Sequence, residues 1–251
     1  MAANALRMRR LASGNGSILM VPLDHGVSVG PIEGIQDPAA TLGSLAGHGA
    51  TCITVHKGLV PVIAPVVRDT PDLGVLLHLS ASTDVAPDPN DKRLVATVEE
   101  AVRLGCDGVS IHVNVGSLTE ARQLEDAGRI STACNEWGLP LVAMMYPRGP
   151  GVKDPHDARL VAHAARLGAE LGADCVKVPY TGKADTFAAV TDGCPVPVIV
   201  AGGPRRDSFQ AFAKDIEAAR KAGARGVSVG RNVFQHAKPA QAMDALARIF
   251  R

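Results

Sequence analysis

Short apolar runs alternate with longer amphipathic stretches along the whole chain. Eight runs rich in β-branched and aliphatic residues stand out: 17–23 (SILMVPL), 51–56 (TCITVH), 74–80 (GVLLHLS), 107–113 (DGVSIHV), 140–146 (PLVAMMY), 173–178 (ADCVKV), 197–202 (PVIVAG) and 226–230 (GVSVG). Runs of this length and type predict buried strands. Between them, segments 37–49, 90–105, 118–138, 155–172 and 207–223 are Ala-rich with apolar residues at helical spacing, which predicts helices packed on one face. Four helix-to-strand joints repeat one phrase, GHGATCITV, RLGCDGVSI, ELGADCVKV and KAGARGVSV; a Gly just past a helix supplies the left-handed turn that ends it.

Eight strand–helix units in 251 residues predict a single-domain (β/α)8 barrel spanning residues 1–251, preceded by an N-terminal helical segment at 1–16. The alternative is a doubly wound open sheet; eight units, and no GxGxxG after the first strand, count against it. In a barrel the chemistry gathers where strands end and their loops begin. Those ends carry Asp24, His25, His56, Lys57, Ser80, Ser82, His112, Asn114, Tyr146, Arg148, Lys177, Gly202, Gly203, Gly230 and Arg231, whereas the opposite ends are mostly Gly, Ala and Pro.

Side chains alternate along a strand, and the helix-facing set of a barrel is the more apolar one. Val109, Ile111 and Val113 therefore face the helices, as do Val227 and Val229, and by the same rule Val176 and Val178 turn Lys177 into the barrel. Lys57 shares parity with Ile53 and Val55 and is expected outside, unless its strand has already ended. A lysine in an apolar strand has two readings. It is an internal ion pair or a side chain reaching for a rim, or it is an amine nucleophile whose lone pair desolvation helps to free.

Other candidates carry the same double reading. Tyr146 is a rim tyrosine, or a phenol exchanging protons beside Lys177. Asp24 is a turn or cap residue, or a carboxylate serving a substrate hydroxyl. AGGP (201–204) with SVGR (228–231) reads as ordinary turns, or as a phosphate cradle of Gly202, Gly203, Gly230 and Arg231. His25, His56, His78 and His112 near strand ends raise a metal site, but no HxH or HExxH spacing holds two of them together; hydrogen bonding is the expectation, with no metal and no cofactor.

Composition narrows the class. Charges nearly cancel at a formal +1, so nucleic acid is not an expected partner; no stretch approaches membrane-spanning length, so no membrane is expected either. Five cysteines, odd in number and without a CxxC pair, suit buried apolar fillers in a reducing compartment. The N-terminus lacks a secretory pattern. A cytoplasmic enzyme is expected.

VPLDHGVSVGPIEG, SASTDVAPDPNDK, ATVEEAVRLGCDGVSIHVNVGS, PLVAMMYPRG, VKVPYTG, VIVAGGP and GVSVGRNVFQH together resemble the archaeal-type class I aldolase family, which contains fructose-bisphosphate aldolase and 2-amino-3,7-dideoxy-heptulosonate synthase. The likeness runs from about residue 15 to about 240. It implies a barrel in a ring-like homo-oligomer, a decamer being one form, that works through a lysine Schiff base without metal. Lys177 matches the family lysine, Tyr146 the tyrosine, Asp24 the aspartate, and the AGGP and VGRN glycines with Arg231 the phosphate grip. Bisphosphate aldolases tend to have Trp two residues before the tyrosine, where this chain has Met144; the text around it looks more like the heptulosonate synthase branch, and equally like the related aldolases that join aspartate semialdehyde to a three-carbon phosphoketone on the way to an aminohydroxybenzoate. What the resemblance implies as substrates is a phosphoketose and an aldehyde such as L-aspartate semialdehyde, the latter met by Arg148, His25 or His112. The alternative pair is dihydroxyacetone phosphate with glyceraldehyde 3-phosphate.

Overall fold

The computed structural model describes residues 2–251, and side chains from residue 4 onward except residue 5; Met1, the first residue of the expected N-terminal segment, lies outside the described residues. In chain order the elements are α1 (Ala2–Met8), β1 (Ile18–Pro22), α2 (His25–Val29), α3 (Pro38–Leu45), β2 (Cys52–Val55), α4 (Val60–Arg68), β3 (Gly74–His78), β4 (Ser80–Ala81), β5 (Arg93–Leu94), α5 (Val98–Arg103), β6 (Gly108–Val115), α6 (Glu120–Trp137), β7 (Leu141–Pro147), α7 (Ala158–Glu170), β8 (Cys175–Pro179), α8 (Ala184–Asp192), β9 (Val198–Ala201), α9 (Phe209–Lys221), β10 (Gly226–Ser228), α10 (Arg231–Phe234) and α11 (Pro239–Ile249). Eight strands pair in parallel and close in the order β1-β10-β9-β8-β7-β6-β3-β2, while β4 and β5 form a small antiparallel hairpin. This is the (β/α)8 barrel that the alternation predicts, with all eight expected strands in place.

The repeated joints do two jobs. Gly105 and Gly172 adopt φ of 73° and 94°, the left-handed region open to glycine, and end α5 and α7. The Asp two residues later then receives a backbone N–H from the neighbouring strand. Val75 N–H donates to Asp107 Oδ2 and Leu141 N–H to Asp174 Oδ2, each at 2.9 Å. Leu19 N–H donates to Thr51 Oγ1 at 2.9 Å in the corresponding position. These bonds satisfy donors at the lower rim, where no ladder partner remains.

Two apolar layers result. Val109, Ile111, Val113, Val176, Val178 and Val227 belong to the cluster between sheet and helices, as their parity requires. Inside the barrel lie Leu11, Ile18, Met20, Cys52, Leu76, Val142, Cys175 and Ile199. Leu11 comes from the segment after α1 and closes the lower end. All five cysteines are free and buried; burial pushes the Cys52, Cys106 and Cys134 thiols up to about 12, so they act as small apolar side chains.

One stretch corrects the sequence reading. Segment 90–105, expected as a single helix, holds β5 and only then α5. Thr97 is extended and caps α5 by accepting from Glu100 N–H, which fixes the start of the helix at Val98. The residues before it turn back along β4. Lys57 lies past the end of β2 in a short 3-10 turn, with its Nζ 3.3 Å from Glu100 Oε2. It is thus outside the barrel, but β2 has already ended at Val55, so its place is set by the turn and by Glu100 and not by strand parity. Among the described residues no helix is long and apolar enough to cross a membrane.

Candidate active site

The pleat of β8 decides where Lys177 goes. Cys175 belongs to the inner cluster and Val176 and Val178 to the outer one, so Lys177 points inward, one step above Cys175. It is 7% exposed and in register with Met144 on β7 and Ile199 on β9. Its Nζ lies 3.8 Å from Met144 Sδ. Among the described residues no carboxylate oxygen comes within the 4.0 Å of an ion pair, so the internal salt bridge considered above does not form.

Asp24 follows β1 at the N-cap position of α2, yet its side chain makes no capping hydrogen bond. It turns instead to histidines. His25 Nδ1 is 3.5 Å from Asp24 Oδ1 and His78 Nε2 is 3.9 Å from Oδ2. Burial alone would push the Asp24 carboxyl up, but His78, His25, Lys177 and His56 together outweigh it and hold the group below its ordinary range. Burial pushes His78 down to about 4 even against the Asp24 charge, so at neutral pH it is an uncharged ring. With Nε2 facing a carboxylate, its proton belongs there; Nδ1 then accepts from Ser110 Oγ at 2.9 Å. His56 stacks edge-on against His78, ring centroids 5.2 Å apart.

A second group stands on β6 and β7. Tyr146 occupies the inward face of β7, one pleat repeat beyond Met144, and lies opposite Asn114; no hydrogen bond joins it to Lys177. His112 stacks on it with centroids 4.8 Å apart, and Arg148 Cζ sits 4.5 Å from the same ring's centroid. Asn114 Nδ2 donates to Asn90 O at 3.0 Å, leaving Oδ1 to accept from His112 Nε2 at 2.9 Å. Burial, Lys92 and Arg148 hold His112 well below its ordinary range. The ring is therefore neutral, with its free lone pair on Nδ1.

The third group is the expected cradle. Gly202 N–H is already given to Ser228 O at 2.8 Å, so Gly202 offers space and not a donor. Gly203, at φ 66°, turns the chain away. A Cβ on Gly230 would meet His25 Cε1 at 2.7 Å and Phe234 Cε1 at 2.9 Å, which shows why the position is bare. Arg231 Nε is buried without a protein partner, and Arg231 lines a cavity of about 240 Å3 with Arg205, Arg206, Asn232 and His236. A larger cavity, about 630 Å3, opens at the other end of the barrel beside Met8, Ile18, Asp174 and Arg225, away from all three groups.

The fold therefore brings Lys177, Asp24 and His25 to one rim, with Tyr146, Arg148 and His112 on one side and Gly202, Gly203, Gly230 and Arg231 on the other. Sequence reasoning missed three contributors. Lys92, from the loop between β4 and β5, donates to Ser82 Oγ and shares a small space with Ser80 and His112. Ser110, on the inward face of β6, carries no sequence signal for its bond to His78. Asn232 follows directly on the GR of the cradle, and that adjacency was its one signal. Among the described residues no three His, Cys, Asp or Glu side chains are grouped to hold a metal ion.

Comparison with known proteins gives a consistent picture. The profile of DeoC/LacD family aldolases matches residues 18–236. A 2-amino-4,5-dihydroxy-6-oxo-7-(phosphonooxy)heptanoate synthase of Streptomyces griseus is 43% identical over 246 residues, covering 98% of this chain and 89% of the relative. A 2-amino-3,7-dideoxy-D-threo-hept-6-ulosonate synthase of Archaeoglobus fulgidus is 45% identical over 243 residues, covering 97% and 89%. Among solved structures, an archaeal fructose 1,6-bisphosphate aldolase superposes with a TM-score of 0.90 at 30% identity over 98% of both chains. Another archaeal fructose-1,6-bisphosphate aldolase, solved with its catalytic Lys covalently bound to the carbinolamine intermediate, has a TM-score of 0.90 at 29% identity over 98% of both chains.

Proposed function

Because the chain belongs to the DeoC/LacD family of aldolases, we propose that it joins a three-carbon unit from a phosphoketose to L-aspartate 4-semialdehyde through an imine on Lys177. The observation that carries this reading is the setting of Lys177: a nearly buried amine, without a carboxylate partner, at the barrel rim between a phosphate cradle and a proton-handling group.

The product named for the Streptomyces relative supports the acceptor. A 4,5-dihydroxy-6-oxo-7-phosphonooxy chain divides at its C4–C5 bond into a three-carbon phosphoketone and a four-carbon amino-acid aldehyde. The step then balances as follows. Lys177 Nζ adds to the donor carbonyl, and the carbinolamine oxygen leaves as water with a proton delivered by Tyr146. The iminium nitrogen draws off the electron pair as the adjacent carbon gives its proton to the Tyr146 phenolate, and the enamine carbon attacks the aldehyde. A water held by the Asp24 carboxylate protonates the new alkoxide, and the hydroxide so formed adds to the product iminium, whose carbinolamine collapses to the ketone and the free amine. Gly202, Gly203, Gly230 and Arg231 hold the donor phosphate, so the reacting carbon stays in register.

A second reading, fructose-bisphosphate aldolase, draws on the solved neighbours. Met144 against the Lys177 amine, where such aldolases tend to carry Trp, favours the first. The test has two parts. Borohydride with dihydroxyacetone phosphate, followed by peptide mapping, is expected to leave a reduced adduct on Lys177; turnover without that adduct would remove the mechanism. The ratio of kcat/KM for aspartate semialdehyde to that for glyceraldehyde 3-phosphate is expected to exceed one, and the reverse selects the second reading.

A further inference from the structure

The loop between β4 and β5 is fastened on both flanks. On one, Ser28 Oγ donates to Ser82 O at 3.1 Å and Asp84 N–H to Ser28 O at 2.9 Å. On the other, Asn114 Nδ2 and Gln123 Nε2 donate to Asn90 O at 3.0 and 2.8 Å, and Arg122 Nη1 to Lys92 O at 2.9 Å. The backbone of Lys92 is thereby fixed against β6. Its ammonium donates to Ser82 Oγ, whose own proton goes to Pro89 O at 2.6 Å. Two of its three donors are left without a protein partner among the described residues, and its charge is near enough to act on His112. Beyond His112 the row continues through the Tyr146 ring to the Arg148 guanidinium.

Two cations thus flank one aromatic pair. Burial first, and then the neighbouring Arg148 charge, push the Lys92 ammonium below its ordinary range, while Asp84 and Asp24 pull weakly the other way. Neither Lys92 nor Arg148 has a carboxylate within 4.0 Å among the described residues. Two cations without carboxylate partners, held at the ends of one aromatic row by a pinned loop and a strand end, favour an anion bound along that row. The position of the row selects that anion. The cradle on β9 and β10 lies on one side of Lys177, and β7 and β6, with the row, lie on the other.

We infer that Lys92 and Arg148 form the receptor for the anionic terminus, carboxylate or phosphate, of the acceptor aldehyde, opposite the site of the donor phosphate. The inference rests on the aldolase reading above. It assigns acceptor choice to a loop lysine and makes His112 and Tyr146 the surface between that anion and the reacting aldehyde.

The test compares wild type with Lys92→Met and Lys92→Arg. Each is assayed by borohydride trapping of dihydroxyacetone phosphate on Lys177 and by kcat/KM for aspartate semialdehyde, glyceraldehyde 3-phosphate and uncharged butanal. In Lys92→Met, trapping is expected to match wild type, kcat/KM to fall about 10- to 100-fold for anionic aldehydes through KM, as for a lost hydrogen bond to a charged group, and butanal to change less than about twofold. Lys92→Arg should restore most of the loss. A loss confined to aspartate semialdehyde names a carboxylate, and one confined to glyceraldehyde 3-phosphate names a phosphate. Equal loss for all three aldehydes, or none, with the adduct intact overturns this assignment alone; absence of the adduct from wild type overturns it together with the aldolase mechanism.

Discussion

Asn232 Nδ2 donates to Gly202 O at 2.9 Å, and the same nitrogen reaches Pro204 O at 2.9 Å while Oδ1 accepts from Arg206 N–H at 2.8 Å. One buried side chain at the start of α10 thus staples the loop after β9 to the helix that carries Arg231. Without it, the two halves of the cradle are joined by the Gly202–Ser228 ladder bond.

Asn232→Ala should therefore loosen the cradle more than the barrel. Each unsatisfied group costs about 1 kcal/mol or more, but the carbonyls lie near solvent, so a stability loss of about 1–2 kcal/mol is expected. KM for the phosphorylated donor should rise about tenfold or more, with kcat changed less. An unchanged KM in a folded variant would show that the staple does not hold the cradle.

Acid sensitivity follows from the buried histidines, with His112, His25 and His56 lowered in the same direction as His78, and from Asp24. His78 titrates at about 4 in the folded protein against 6.5 for a free side chain. Between those values the unfolded chain takes up a proton that the native state refuses, so stability falls as pH drops from about 6.5 to about 4. The full effect is on the order of 3 kcal/mol. Asp24, held below its ordinary range, acts with the same sign at still lower pH, since its charged form is favoured by folding. Thermal midpoints measured across pH 4–8 should decline toward acid, and His78→Asn should flatten the decline between pH 6.5 and 4. Parallel curves for the two proteins would place the acid sensitivity elsewhere.

What was readable in the sequence and what was not divide along a physical line. Strand parity is local: Val176 and Val178 announce which way Lys177 points, and the closed barrel keeps that direction. The glycines of RLGCD and ELGAD are local too, because a helix and the turn that ends it lie within a few residues, whereas the bonds of their Asp residues reach to Val75 and Leu141 on neighbouring strands. Lys92 is different. It sits in a loop with no periodicity, and it reaches the site because Ser28, Asn114, Gln123 and Arg122, spread between positions 28 and 123, hold that loop down. The helical spacing of 90–105 misled for the same reason, since the β4–β5 pairing that claims Arg93 and Leu94 comes from outside the segment. His78 was readable as a strand-end residue, but its place beside Asp24 depends on β1, β2 and β3 being neighbours.

Leu11 gives a prediction at the far end of the barrel. It is fully buried in the inner cluster, and a Cβ on Gly74 or Gly108 would meet its methyl groups at 2.9 and 3.3 Å. The bare strand starts and the leucine are thus fitted to each other, and the segment after α1 is part of the core. Leu11→Ala should cost about 2–5 kcal/mol in urea unfolding, with kcat unchanged at temperatures where the variant is folded. A loss below 1 kcal/mol would mean that the lower end collapses around the smaller side chain.

Lys177 itself separates function from stability. Burying an amine with, among the described residues, no carboxylate within 4.0 Å and only the Met144 thioether, 3.8 Å away, as a polar contact is costly. A residue retained at such a cost points to use in chemistry, since functional sites are where stability is given up. Methionine has nearly the same length and no charge to desolvate, and it would lie beside Met144 and Ile199 in an already apolar layer. Lys177→Met should therefore leave the thermal midpoint equal to wild type or a few degrees above it. Turnover should fall by at least about three orders of magnitude, because no other residue supplies the covalent step. Calorimetry and an aldol-cleavage assay on one preparation decide the matter. A variant much less stable than wild type would show that the amine is held by an interaction that its surroundings do not reveal, and a fully active one would move the nucleophile elsewhere.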